Sequence, residues 1–96
     1  MYQQITIETL NAQRLRPVLE DAIQAQLEDV ESGIQKTRAK LQQFEKKFGM
    51  TTAEFLHRFH PGDLEETLDF IEWQGETKML KFLEERRDTL KDTRIK

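Results

Sequence analysis

The chain has no cysteine. Disulfide frameworks, thiolate nucleophiles and thiolate zinc sites are excluded together, while the redox compartment stays open. It has a single serine, Ser32, and no glycine-rich phosphate loop. Acyl-transfer and nucleotide-binding chemistry therefore lack their usual parts. Acids are plentiful but fall on stretches that read as solvated helix faces, so we expect no enzyme and no cofactor. Proline and glycine are scarce, two and four among 96 residues, which permits long uninterrupted helices. No apolar run approaches the roughly 20 residues that span a bilayer. The N-terminal stretch lacks a basic region followed by an apolar one, so no signal peptide is expected. Excess positive charge is missing too. The formal net charge is −3, and no global basic field draws nucleic acid or membrane to the chain. A cytoplasmic location is the expectation.

What is present is charge. Charged residues make up 34% and apolar residues 36% of the chain, a balance that fits exposed helices better than a compact α/β domain. The length suits one domain, residues 1–96. A core of this size is modest, so burial through self-association would add to it. From Arg14 to Phe48 the only breakers are Pro17, which suits a first helical turn, and Gly33. Leu15, Leu19, Ile23, Leu27, Val30, Ile34, Leu41, Phe44 and Phe48 recur at steps of three and four, with Thr37 filling one gap. That is the a/d seam of a coiled coil, and such a seam needs a partner helix.

Gly49 stands where a left-handed residue closes a helix. Thr51 and Glu54 then form a T-x-x-E capping box, with Met50 and Phe55 as its hydrophobic staple. The pattern predicts a short helix from Thr52 to about Phe59, broken by His60, Pro61 and Gly62. A last helix starts at Asp63 or Thr67 and runs to about Asp92. Its apolar positions are Leu68, Ile71, Met79, Phe82, Leu83 and Leu90, flanked by Phe70, Trp73 and Leu80. This face is broader than a two-helix seam needs, which hints at a third packing surface. Gly75 costs ~1 kcal/mol against alanine inside a helix. Close approach of another backbone beside Trp73 would account for it.

Charge orders the two long helices. Residues 17–31 carry five acids and no base, and residues 36–47 five bases and one acid. Residues 63–76 carry six acids and no base, and residues 78–96 seven bases and four acids. An antiparallel pairing sets acid against base at both ends. Each exposed pair contributes only ~0–1 kcal/mol, so the pattern acts on orientation and register.

Tyr2 to Leu10 is β-branched and partly alternating, with Ile5 and Ile7 on one face. It reads as a short strand. Nothing later resembles a second strand, and a lone strand leaves its backbone groups unpaired. It pairs with its copy in a dimer, joins another protein's sheet, or is a disordered arm.

Two sharper readings of the corner fare poorly. A helix-turn-helix reader needs a recognition helix that tolerates phosphate, yet the helix after the turn opens with Asp63, Glu65, Glu66, Asp69, Glu72 and Glu76. His57, His60 and Asp63 have metal-like spacing, but there is no third histidine and Pro61 separates the aspartate. We expect no metal site. Trp73 is either packed by the short helix or part of a pocket for a partner's side chain, tryptophan being favoured at interface centres.

The stretches FEKKFGMTTAEFLHRF and DLEETLDFIEWQGETKMLKFLEE resemble a group of small, uncharacterised prokaryotic helical proteins. The resemblance covers about residues 41–85, and its motifs are structural. Members resemble the partner halves of toxin–antitoxin gene pairs, which implies an antitoxin-like interaction protein. The expected fold is all-α. It is a long antiparallel helical hairpin over residues 13–96, with a short helix at the tip and an N-terminal β-strand or arm over residues 1–12. The expected function is protein–protein interaction, neutralising or scaffolding a small toxin-like partner, with a homodimer as the expected assembly. The proposed contacts are Ile5, Ile7, Phe70 and Trp73. The alternative is a dimeric transcriptional regulator reading DNA through a paired N-terminal ribbon, although residues 1–13 contain no lysine or arginine.

Overall fold

The computed structural model describes residues 1–59 and 67–96. The described residues form three helices: α1 (Ala12–Phe48), α2 (Thr52–Arg58) and α3 (Leu68–Asp92). The long helices lie side by side as an antiparallel hairpin with α2 at its tip, in a rod of 58 × 24 × 20 Å.

Each helix end has a local cause. Asn11 caps α1, its side-chain oxygen accepting the Arg14 N–H at 3.0 Å. Pro17 therefore lies beyond the first turn, not in it, and leaves the Gln13 carbonyl without its intrahelical donor. At the other end Lys46 and Lys47 face the negative end of the helix dipole, and Gly49 closes the helix at φ 62°. The Thr51 hydroxyl accepts from the Glu54 N–H at 3.1 Å, one of the two bonds of the expected capping box, and Met50 packs on the cluster that holds Phe55. A second free amide of this end, Thr52 N–H, donates to the Glu45 carboxylate of α1 at 2.7 Å. Of the two starts expected for the last helix, Thr67 caps α3 by accepting the Phe70 N–H at 3.1 Å. His60, Pro61, Gly62 and Asp63 lie outside the described residues.

The seam of α1 is the one its spacing announces. Val30, Ile34, Leu41 and the gap-filling Thr37 are buried, and Phe44 and Phe48 pack beside them. The side of α3 that meets it differs in part from expectation: Leu83 and Leu90 are half-buried, with Leu83 against Gly33, but the other expected positions are not. Trp73 is buried, and Phe70 and Leu80 pack against the core with it, while Leu68, Ile71, Met79 and Phe82 are exposed. At about 100° per residue the two sets occupy opposite faces of the helix. Both obey helical spacing, so the periodicity did not distinguish them.

Charge complementarity appears as ion pairs. Lys47 meets Asp69 at 2.6 Å, Lys40 meets Glu76 at 3.3 Å, and Arg38 meets Glu84 at 3.1 Å. Further along, Glu31 of α1 and Lys91 of α3 lie 3.8 Å apart with the signs reversed. Gly33 gives the pair a close approach, since a Cβ there would meet Leu83 Cδ1 at 3.3 Å. Gly75 does not play that part. A Cβ there would meet nothing within 4 Å among the described residues, so no close approach within the described hairpin accounts for it.

Because α3 is the shorter helix and ends at Asp92, next to a groove that Thr93 shares with Ile23 and Gln24, the first turns of α1 project beyond it. There Leu15, Leu19 and Ile23 are only half-buried. The C-terminal tail touches this overhang, where Arg16 Nη1 donates to the Ile95 carbonyl at 3.0 Å. The N-terminal segment forms no strand, contrary to the β reading of Tyr2–Leu10. The physical reason is the absence of any strand among the described residues to receive its backbone donors and acceptors.

Candidate interaction surfaces

The four residues singled out in the sequence fall in different environments. Trp73 sits in the middle of an aromatic stack. Its ring lies parallel to Phe55 with centroids 4.0 Å apart, and Phe44 and Phe48 stack at 5.6 and 5.8 Å. Its indole N–H donates to Thr52 Oγ1 at 3.1 Å, and its carbonyl accepts the Thr77 hydroxyl at 3.0 Å. The ring is 0% exposed, so it has no surface left for a partner's side chain. The intramolecular use of Trp73 is the one realised, and the Phe70–Trp73 pocket expected for a partner is filled by Phe55 from α2. Phe70 remains half-buried, tilted against Phe48 at 5.1 Å and Phe55 at 5.4 Å.

Ile5 and Ile7 stand in the opposite condition. They are 90% and 56% exposed, in a segment without helix or strand. The segment is tethered at both ends. The Arg94 guanidinium stacks on the Tyr2 ring at 3.9 Å from its centroid, and Asn11 N–H donates to Thr9 Oγ1 at 3.3 Å. A cation–π contact of this exposed kind contributes ~0.5–1 kcal/mol. It holds the N-terminus beside the C-terminal tail, at the open end of the hairpin.

Other chemistry has little to build on. His57 is exposed in the last turn of α2, while His60 and Asp63 lie outside the described residues. No group of three metal-ligating side chains occurs among the described residues. Among the described residues, one shallow open groove is lined by Glu20, Ile23, Gln24, Thr93 and Ile95, and another by Glu45, Lys46, Gly49, Met50, Thr51 and Glu54. Neither encloses a ligand as small-molecule sites do. No helix among the described residues is long and apolar enough to cross a membrane. The acids at the start of α3 are partly spoken for, since Asp69 and Glu76 bridge to α1.

One surface went unassigned in the sequence. It is the outward row of α3 formed by Leu68, Ile71, Met79 and Phe82. The breadth of the apolar face was its signal. Against family models, curated proteins and solved structures the chain finds no match.

Proposed function

We propose that the chain is a protein–protein interaction module of antitoxin-like type, a rigid hairpin that presents an N-terminal contact arm to a small partner protein. The observation that carries the reading is the exposure of Ile5 and Ile7, 90% and 56%, on a β-prone segment with no strand among the described residues to pair with. A partner with an open sheet edge would satisfy the backbone of the arm, and alternate side chains would set specificity. The resemblance of residues 41–85 to antitoxin-like proteins points the same way. The paired-ribbon regulator has less support, because its reading segment would carry no basic residue to meet phosphate.

The test is co-expression with the product of the gene adjacent to its own. Tagged full-length chain captures that protein, and deletion of residues 1–10 weakens capture more than about tenfold while leaving helix content by circular dichroism nearly intact. A truncated chain that unfolds places the segment in the core and ends the reading. Undiminished capture moves the contact surface elsewhere. A gel shift on the upstream DNA at two salt concentrations serves as the control, with tight and strongly salt-dependent binding favouring the regulator.

A further inference from the structure

The outward face of α3 carries a row of apolar side chains that the hairpin does not use. Leu68 is 85% exposed, Ile71 50%, Met79 48% and Phe82 54%. Of the six phenylalanines in the chain, Phe82 alone stands outside the aromatic cluster at the tip. With side chains of roughly 150–200 Å² each, these fractions leave about 400 Å² of apolar surface in one row. Patches of that size on monomers are commonly functional.

Gly75 lies in the middle of the row. The hairpin gives it no role, since a Cβ there would meet nothing within 4 Å among the described residues. A glycine in the middle of a helix face lets a second helix approach closely, because interaxial distance follows the side chains at the crossing. The row is also symmetric about it. Ile71 and Met79 lie four residues to either side, and Leu68 and Phe82 seven. A surface that reads the same in both directions is what a two-fold interface requires.

We propose that a second copy of this chain docks on this row, its α3 antiparallel to the first and crossing it at Gly75. Leu68 then meets Phe82 of the second copy, and Ile71 meets Met79. Charge selects the antiparallel sense. Along the row, Asp69 and Glu72 precede the glycine with no base among them, while Lys78 and Lys81 follow it, with Glu76 directly after the glycine. An antiparallel copy sets Asp69 and Glu72 beside the stretch that holds Lys78 and Lys81, within about a Debye length, whereas a parallel one sets them beside their own copies. Pairing buries about 800 Å² of apolar surface from the two rows. The flanking stems of Glu72, Lys78 and Arg86 bring the total towards the ~1,200 Å² of the smallest stable interfaces. The arm takes no part, so this dimer is independent of the function proposed above.

Light scattering at micromolar concentration gives twice the 11.4 kDa chain mass. Phe82→Glu raises the dissociation constant more than about thirtyfold and returns the chain to monomer with an unchanged circular dichroism spectrum. Should that variant lose helix content, Ile71→Lys carries the same test. Deleting residues 1–10 leaves the dimer in place. The absence of cysteine makes single thiols clean probes of direction. An oxidised mixture of the Ile71→Cys and Met79→Cys proteins gives chiefly the mixed disulfide. A wild-type monomer, a dimer that survives Phe82→Glu, or disulfides formed only between like variants overturns the proposal.

Discussion

Phe55→Ala tests whether the tip is held together as the structure indicates. The Phe55 ring is 0% exposed and lies parallel to Trp73, with an interplanar angle of 1°. It also touches Phe59 and Phe70, at 5.1 and 5.4 Å. Burial of a side chain of this size contributes ~1.5–3 kcal/mol. The aromatic contacts add ~0.5–1.5 kcal/mol, and the cavity left behind brings the expected loss to ~3–5 kcal/mol. Against a domain stability of ~5–15 kcal/mol that is a large fraction. Two outcomes at the tip are distinguishable. α2 has seven residues, too few to persist undocked, so losing its anchor can melt it locally. The apparent loss is then capped at the docking free energy of α2, and the rest of the hairpin unfolds later. Urea titration followed by far-ultraviolet circular dichroism and by the fluorescence of the single tryptophan separates the cases. Coincident curves shifted by ~2 M or more mean global destabilisation, given a slope of ~1–3 kcal/mol/M. A red-shifted Trp73 emission before denaturant is added means local undocking. A variant with native emission and a midpoint shift worth less than ~1 kcal/mol would refute the account of the tip.

Three further substitutions probe single contacts. Thr51→Ala removes the acceptor for the Glu54 N–H and is expected to lower stability by ~1 kcal/mol; an unmoved melting temperature would mean that the cap contributes nothing there. Thr52→Val keeps the side-chain shape but leaves the Trp73 indole N–H without its acceptor. The expected loss is ~1–3 kcal/mol, read by thermal melting, and neutrality would show that water replaces the hydroxyl. Gly75→Ala, measured at concentrations low enough to hold the chain monomeric, is expected to stabilise by ~1 kcal/mol, since the added Cβ meets nothing within 4 Å among the described residues. Destabilisation under those conditions would show a contact at Gly75 within the monomer.

Much of the fold was legible because it rests on short-range chemistry. The steps of three and four from Leu27 to Phe48 mark the buried seam of α1, and even Thr37, at 5% exposure, falls where the spacing put it. Gly49 and Thr51 act through their own backbone and side-chain geometry, so their roles can be read one residue at a time. Antiparallel orientation followed from charge blocks, and the Lys40–Glu76, Lys47–Asp69 and Glu31–Lys91 pairs realise it. The β reading of the arm failed for the opposite reason. Strand propensity at Ile5, Thr6 and Ile7 is local, but a strand exists only with a partner, and the described residues supply none. At Pro17 the residue type was a sound helix-start signal, yet Asn11 offered a better cap one and a half turns earlier.

Trp73 shows why a candidate site can be visible in composition and still be misplaced. Tryptophan is enriched both in partner pockets and in cores, so the residue type alone leaves the choice open. Periodicity leaves it open as well, because α3 carries two apolar rows on opposite faces. Turned half a revolution about its axis, the helix would bury Leu68, Ile71, Met79 and Phe82 against α1 and expose Trp73. Two features of α1 and α2 decide against that. Phe44, Phe48 and Phe55 line the space opposite α3, and flat rings are the best partners for an indole, with Trp73 and Phe70 each burying ~150–250 Å². Asp69 and Glu76 flank the Trp73 row and reach Lys47 and Lys40 only in the observed rotation. Each such pair is weak, but a wrong rotation would lose both pairs and the aromatic stack together, a difference of several kcal/mol. The row left over is apolar without being needed by the hairpin, and that surplus is what gives the outward face of α3 its claim to a partner.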